Sequence, residues 1–245
     1  MTGAPDQPQT VYSIREEQSL GSLLPDLETF TPVVPPSRSA TVADRIVEAV
    51  AAGRLASGQR LVEQDVAASL AVSRVPLREA MKTLCAQGIL TAEPHRGTRV
   101  APIDEAWSAS VRRARIALER LAFRDAVPVL RAEPARTHEL RRLIAEMERH
   151  TAQQNWLQGI KTDLAFHRSV VVAGGDGIVV TLWEALARHV LIVFGRETRP
   201  EWSGVHLGEE HRELLTALLE SSPDELDREV ERHIMRMPST EAAPS

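Results

Sequence analysis

Asp163 and His167 stand four residues apart, one helical turn, so a carboxylate and an imidazole can face the same spot. His211 and His233 are 22 residues apart, and the Ser221-Ser222-Pro223 break lies near their midpoint. Each arm of the resulting hairpin runs about ten to twelve residues, roughly 15 to 18 Å at about 1.5 Å per residue, which returns the two imidazoles to one level on antiparallel helices. Three helices can therefore converge one carboxylate and three imidazoles on a point inside a bundle. Such a set suits a divalent transition metal, zinc foremost, with nickel, manganese, cobalt or iron(II) as other occupants; calcium and magnesium prefer all-oxygen shells. Taken alone, the Asp163/His167 pair is equally the signature of a hydrogen bond on a helix surface.

A second group of residues has the chemistry of nucleic-acid contact. In Ser73-Arg-Val-Pro-Leu-Arg-Glu-Ala-Met81, Ser73 reads as an N-cap whose hydroxyl accepts from the Val75 N–H, with Pro76 in the first turn. At about 100° per residue, Leu77, Ala80 and Leu84 share an apolar face, and Arg74, Arg78 and Lys82 form a cationic stripe away from it. Residues 61–70, with Val62, Val66, Ala67 and Leu70 inward, read as a preceding short helix, and Ala71-Val72 leaves only a tight turn. The pair makes a helix-turn-helix whose second helix offers its first residues, Ser73, Arg74 and Val75, to the major groove. Strand-like segments at 89–93 and 98–101 flank Pro94-His95-Arg96-Gly97, so a two-stranded wing follows.

The elements that must position these groups are mostly helical. Aromatic residues make up 4% of the chain, hydrophobic residues 43%, and alternating strand patterns are scarce. Residues 41–52 form an amphipathic helix with Val42, Ile46, Val47 and Val50 inward and Gly53 as its stop. Beyond Asp104 the pattern is entirely helical, over 105–127, 135–150, 155–172, 178–197, 206–221 and 223–237, with breaks at Pro128, Pro134, Gly174-Gly175, Pro200 and Pro223. Six helices with short connections suggest an antiparallel bundle. The chain divides into a Pro-rich flexible arm (1–38), a winged helix-turn-helix (39–103), a helical domain that carries the candidate metal ligands and Arg115 (104–237) and a short tail (238–245).

Net charge is −5, which argues against a protein that coats nucleic acid. Residues 41–103 nevertheless carry +2, against −3 before them and −4 after, so the basic character sits in the proposed reader. The single cysteine, Cys85, excludes an intrachain disulfide framework and suits a reducing cytosol. No start segment joins positive charge to an apolar run, and no stretch of about 18 uninterrupted apolar residues occurs. A cytoplasmic protein without a membrane partner is expected.

Gly53-Arg-Leu-Ala-Ser-Gly-Gln-Arg-Leu61, Glu63-Gln-Asp-Val-Ala67, Val72-Ser-Arg-Val-Pro-Leu-Arg-Glu-Ala80 and Arg96-Gly-Thr-Arg-Val100 together resemble the winged helix-turn-helix of GntR-family transcription regulators. Arg115-x-x-Leu118-Glu119, Asp163-x-x-Phe166-His167, Glu210-His211 and the late His233 resemble the FadR C-terminal ligand-binding (FCD) domain and its metal motifs. The resemblance implies a ligand-responsive repressor, not an enzyme, that binds a pseudo-palindromic DNA operator as a homodimer. It assigns Gln64, Ser73, Arg74, Val75, Arg78, Arg96 and Gly97 to DNA and Asp163, His167, His211 and His233 to metal. Two departures stand out: Gln64 occupies a position where several relatives have a base-contacting arginine, and Ala173-Gly174-Gly175-Asp176 replaces a small-residue turn with asparagine.

A carboxylate effector bound to such a metal needs a further cation, and Arg115, on the first helix after the wing, is the candidate. Tilting that helix would change the spacing of two recognition helices; alternatively, Arg115 simply pairs with Glu119, four residues on. The same four ligands would also serve a metal-responsive regulator or a metalloenzyme fused to a winged domain. Against the enzyme, Glu210 is the nearest general base in sequence, and it lies about 100° round the helix from His211.

Overall fold

The computed structural model describes residues 38–93, 97–197 and 207–236, which fall within one compact unit running from Pro36 to Ser245. The tail read from sequence lies outside the described residues, as do His95, Arg96, His206 and all of the arm except Arg38, which is the first residue of the first helix.

The reader opens with α1 (Arg38–Ala51), whose Val42, Ile46, Val47 and Val50 are buried as their spacing requires. A short β1 (Arg60–Leu61), α2 (Glu63–Ser69), α3 (Arg74–Ala86), β2 (Leu90–Glu93) and β3 (Gly97–Val100) follow. The two predicted strands pair antiparallel as β2 and β3, and β1 adds a third strand to their sheet. Arg60 and Leu61 pair antiparallel with Arg99 and Thr98, giving the order β1-β3-β2. This pairing takes Leu61 out of the expected helix; α2 starts at Glu63, where Glu63 and Asp65 favour the positive end of the helix dipole. Val62 becomes its N-cap and is 46% exposed instead of facing inward.

Ser73 has the extended backbone of an N-cap, but its hydroxyl makes no cap hydrogen bond. The third helical position, a usual partner, is Pro76, which has no N–H, and the remaining donor at Val75 is not engaged.

The second half is an all-helical bundle of α4 (Glu105–Ala132), α5 (Pro134–Ala152), α6 (Trp156–Gly174), α7 (Gly177–Glu197), α8 (Leu207–Glu220) and α9 (Pro223–Met235). Pro128 does not end α4, as expected from sequence; the helix runs through it to Ala132. One missing N–H is tolerated because the extra turn buries Leu130, and the Glu133 N–H donates to the Val129 carbonyl at its end. A capping box at Ser222 and Glu225 starts α9 directly after the predicted break. Central to the packing, α6 lies against α4, α5 and α7. By length and composition α7 could cross a membrane, yet it packs against α1, α4 and α6 with Trp183 and Val190 through Phe194 buried.

The α6–α7 corner depends on two glycines. Gly175, at φ +79°, supplies the left-handed C-cap of α6, and a Cβ at Gly174 would lie 2.6 Å from the Ala122 carbonyl oxygen of α4. Backbone cannot yield as a flexible side chain would. Gly174→Ala is therefore expected to cost about 1–3 kcal/mol, read as a lower midpoint in urea with an unchanged slope; an unchanged midpoint would show that α4 and α6 can separate freely.

Candidate metal centre and nucleic-acid interface

The four sequence-predicted ligands meet. Asp163, His167, His211 and His233 are all buried, and one donor atom from each lies within 4.8 Å of the others. Helix α6 supplies Asp163 and His167 one turn apart, α8 supplies His211 and α9 supplies His233, as the hairpin arithmetic requires. His167 Nε2 is 3.2 Å from His233 Nε2 and 3.8 Å from Asp163 Oδ1, and His211 Nε2 is 2.9 Å from Asp163 Oδ1. Ligands about 2.1 Å from a tetrahedral zinc are about 3.4 Å apart, so these separations bracket the edge a metal would impose.

The donor chemistry also fits. Asp163 Oδ2, His211 Nε2 and His233 Nδ1 are buried without a hydrogen bond, whereas buried polar atoms in proteins are nearly always partnered. Burial lowers the pKa of His167, with Arg115 adding to the effect, and puts His233 well below the usual histidine range, helped by the neighbouring His211 and His167 rings. Both shifts favour the neutral imidazole, the state that ligates metal. Burial alone would raise the Asp163 carboxyl, but His167, His211 and Arg115 hold it well below its ordinary value, so it stays anionic. The His211 Nδ1–H donates to the Leu207 carbonyl at 2.7 Å, which leaves Nε2 as its ligand atom.

Beneath the cluster lies a group that spacing alone did not reveal. Glu119, completely buried, accepts from Arg115 Nε at 2.8 Å and Trp183 Nε1 at 2.9 Å on Oε1, and from His167 Nδ1 at 2.8 Å on Oε2. Burial opposes its ionisation, but Arg115 and His167 win and hold its pKa to about 2. The sequence placed Glu119 beside Arg115; its link to His167 spans 48 positions and that to Trp183 spans 64, beyond any periodic signal. Arg115 pairs with Glu119, the local alternative read from the sequence, and its Nη2 also lies 3.8 Å from Asp163. A cavity of about 10 Å³ adjoins the site, with Arg115, Phe194 and His233 in its lining. It suits a single water-sized group, so a larger effector must displace side chains. Glu210 lines this cavity too, although its helical angle turned it away from His211; a long side chain can reach back where a Cβ direction does not.

Of the other described histidines, His138 is exposed. His189 lies between reader and bundle: its Nε2–H donates to the Gln87 carbonyl at 2.8 Å and its ring packs on Trp107. Arg188 beside it donates to Asp44 at 3.0 Å, and Lys161, two residues before Asp163, pairs with Glu48 of α1.

On the reader, Gln64, Ser73, Arg74, Val75 and Arg78 are all exposed, and Val75 is 72% exposed at the head of α3. An apolar side chain that large and that open on a recognition helix is suited to a thymine methyl. Arg78 Nε donates to Glu63 at 2.8 Å, strapping α3 to the start of α2 beside Gln64. Gly97 opens β3 at φ +82°, and a Cβ there would sit 3.3 Å from the Arg60 guanidinium.

Comparison with known proteins agrees with this architecture. Residues 38–100 match the family described as "Bacterial regulatory proteins, gntR family", and residues 110–236 match the FCD domain. The chain is 30% identical over 198 residues to the "Probable D-xylose utilization operon transcriptional repressor" of Paenarthrobacter nicotinovorans, covering 79% of this chain and 84% of that protein. It is 27% identical over 150 residues to the gluconate operon transcriptional repressor of Bacillus subtilis, covering 61% and 60%. The solved structure of E. coli McbR/YncC shares the fold, with a TM-score of 0.69 at 20% identity over 82% of this chain and 95% of that one. With one family matched over the wing and its helices and the other over the bundle that gathers the buried ligands, the chain belongs to the GntR family as a transcription regulator of the FCD type.

Proposed function

We propose that this regulator is a cytoplasmic homodimeric repressor whose affinity for a pseudo-palindromic operator is reset by a small carboxylate, bound with the help of a divalent transition metal. The observation that carries the reading is the buried set Asp163, His167, His211 and His233 with a cation, Arg115, against the same carboxylate ligand. A bound metal would supply positive charge that a carboxylate can meet directly, and Arg115 would give its second oxygen a partner. Relatives named for sugar and sugar-acid operons support a metabolite signal. Two-fold symmetry of the operator follows from a dimer presenting two copies of α3.

The test is operator binding measured on chelator-treated protein, after adding zinc, and after adding a panel of small carboxylates. The reading expects a carboxylate response of roughly 5- to 150-fold only in the zinc-loaded protein. If zinc alone produces the whole change, the metal is the signal; if carboxylates act equally without metal, the metal-assisted site is wrong.

Arg74 and Arg78 are proposed as the principal contacts to bases or phosphates, Arg78 on exchanging Glu63 for DNA. Arg74→Ala should weaken operator binding by about 1–3 kcal/mol if it reads a base bidentately, checked by titration against specific and scrambled duplexes. Equal binding by Arg74→Ala and the native protein would remove Arg74 from the interface. Gln64, Ser73, Val75, Arg96 and Gly97 complete the proposed contact set.

A further inference from the structure

Resting on the metal reading above, we infer that Glu119 is a positioning residue: its carboxylate dictates which nitrogen of His167 faces the metal site, and it ties that ligand to Arg115. A carboxylate that merely neutralised Arg115 would have no need of His167. Here the two oxygens divide the work. Oε1 takes the Arg115 and Trp183 N–H groups, and Oε2 is given to His167 Nδ1 alone.

An ionised carboxylate only accepts, so the hydrogen must reside on Nδ1. The lone pair of Nε2 is then directed at the cluster, where Asp163 Oδ1 and His233 Nε2 await it. Trp183 and Arg115 in turn pin the carboxylate, both of them buried beside it. The chain of contacts Trp183–Glu119–His167 therefore belongs to the metal site although neither Trp183 nor Glu119 is placed to ligate.

Glu119→Gln puts the inference at risk with almost no change of shape. An amide has one accepting oxygen. If that oxygen keeps Arg115 and Trp183, the NH2 donates to His167 Nδ1 and drives the ring hydrogen onto Nε2, where it blocks the ligand position; if it turns to His167, the NH2 is left against two donors. The measurement is zinc affinity of the full-length protein, by competition with a chromophoric chelator, together with the 15N resonances of the His167 ring in the metal-free protein. The expected result is a 10- to 100-fold loss of zinc affinity in Glu119→Gln. It should be accompanied by an Nδ1–H ring in the native protein and an Nε2–H ring in the variant.

Zinc binding by Glu119→Gln within threefold of native overturns the positioning role while leaving the metal reading intact. Should Glu119→Gln fail to fold, the native protein decides: an Nε2–H ring at His167 there overturns the inference. A native protein that takes up no zinc sinks the metal reading itself, and with it this one.

Discussion

His211→Ala is expected to abolish both metal uptake and the response to effector while leaving basal operator binding close to native. The ring is completely buried, its Nδ1–H is spent on the Leu207 carbonyl, and its Nε2 faces Asp163 without a hydrogen bond of its own. Removing it takes one of four ligands from the set, and no other histidine is close enough among the described residues to replace it. The packing cost is limited, since the ring packs on Phe166 at 4.9 Å, His233 at 4.6 Å and His167 at 5.3 Å, centroid to centroid, and loss of an orphaned buried nitrogen offsets part of the cavity. Basal DNA binding should survive because α8 packs against α4, α5 and α9, whereas the contacts to the reader come from α6 and α7. Metal content after dialysis, followed by operator titration with and without effector, checks the expectation. Native metal content in His211→Ala would show that the cluster is not the metal site.

The second large effect is at Arg115, and the structure changes what its removal means. Read from sequence, Arg115 is either the cation that meets the effector or the local partner of Glu119. In the structure the guanidinium is 2% exposed between Glu119, at 2.8 Å, and Asp163, at 3.8 Å. Burial disfavours its charge, yet the two carboxylates more than offset this and raise its pKa. Truncation leaves two buried carboxylates without their shared cation. Breaking a buried pair from one side costs about 3–5 kcal/mol, far more than the pair adds over an apolar replacement. Arg115→Ala is therefore expected to lower folding stability by about that amount in the metal-free protein, read from the urea midpoint at constant slope. Added metal should restore part of it, since a divalent ion at Asp163 supplies the missing positive charge. A loss below about 1 kcal/mol would mean that Arg115 does not hold this site together. For the effector question Arg115→Lys is the better probe: it keeps the charge but replaces the planar fork with a single ammonium.

Local rules carried the reading a long way. The apolar faces of α1 and α3, the glycine stop of α6 and the serine-proline start of α9 depend on neighbours within four or five residues, and their physics is complete at that range. The convergence of Asp163, His167, His211 and His233 was legible for the same reason: an i, i+4 pair shares a helix face, and a hairpin broken at its midpoint returns two histidines to one level. Where a local rule met a competing long-range gain, it failed. Leu61 joined a strand because β3 offered backbone partners 37 positions away, and Pro128 stayed inside α4 because Leu130 found a buried place. Ser73 left its cap bond unmade with proline at the third helical position. Only the tertiary structure could disclose the groups that govern the site from outside it. Glu119 serves His167 and Trp183 across 48 and 64 positions, and Arg115 stands between two carboxylates from different helices. Such contacts are fixed by how α4, α6 and α7 pack, and a buried charge reveals its partners only when the helices that exclude water around it are in place.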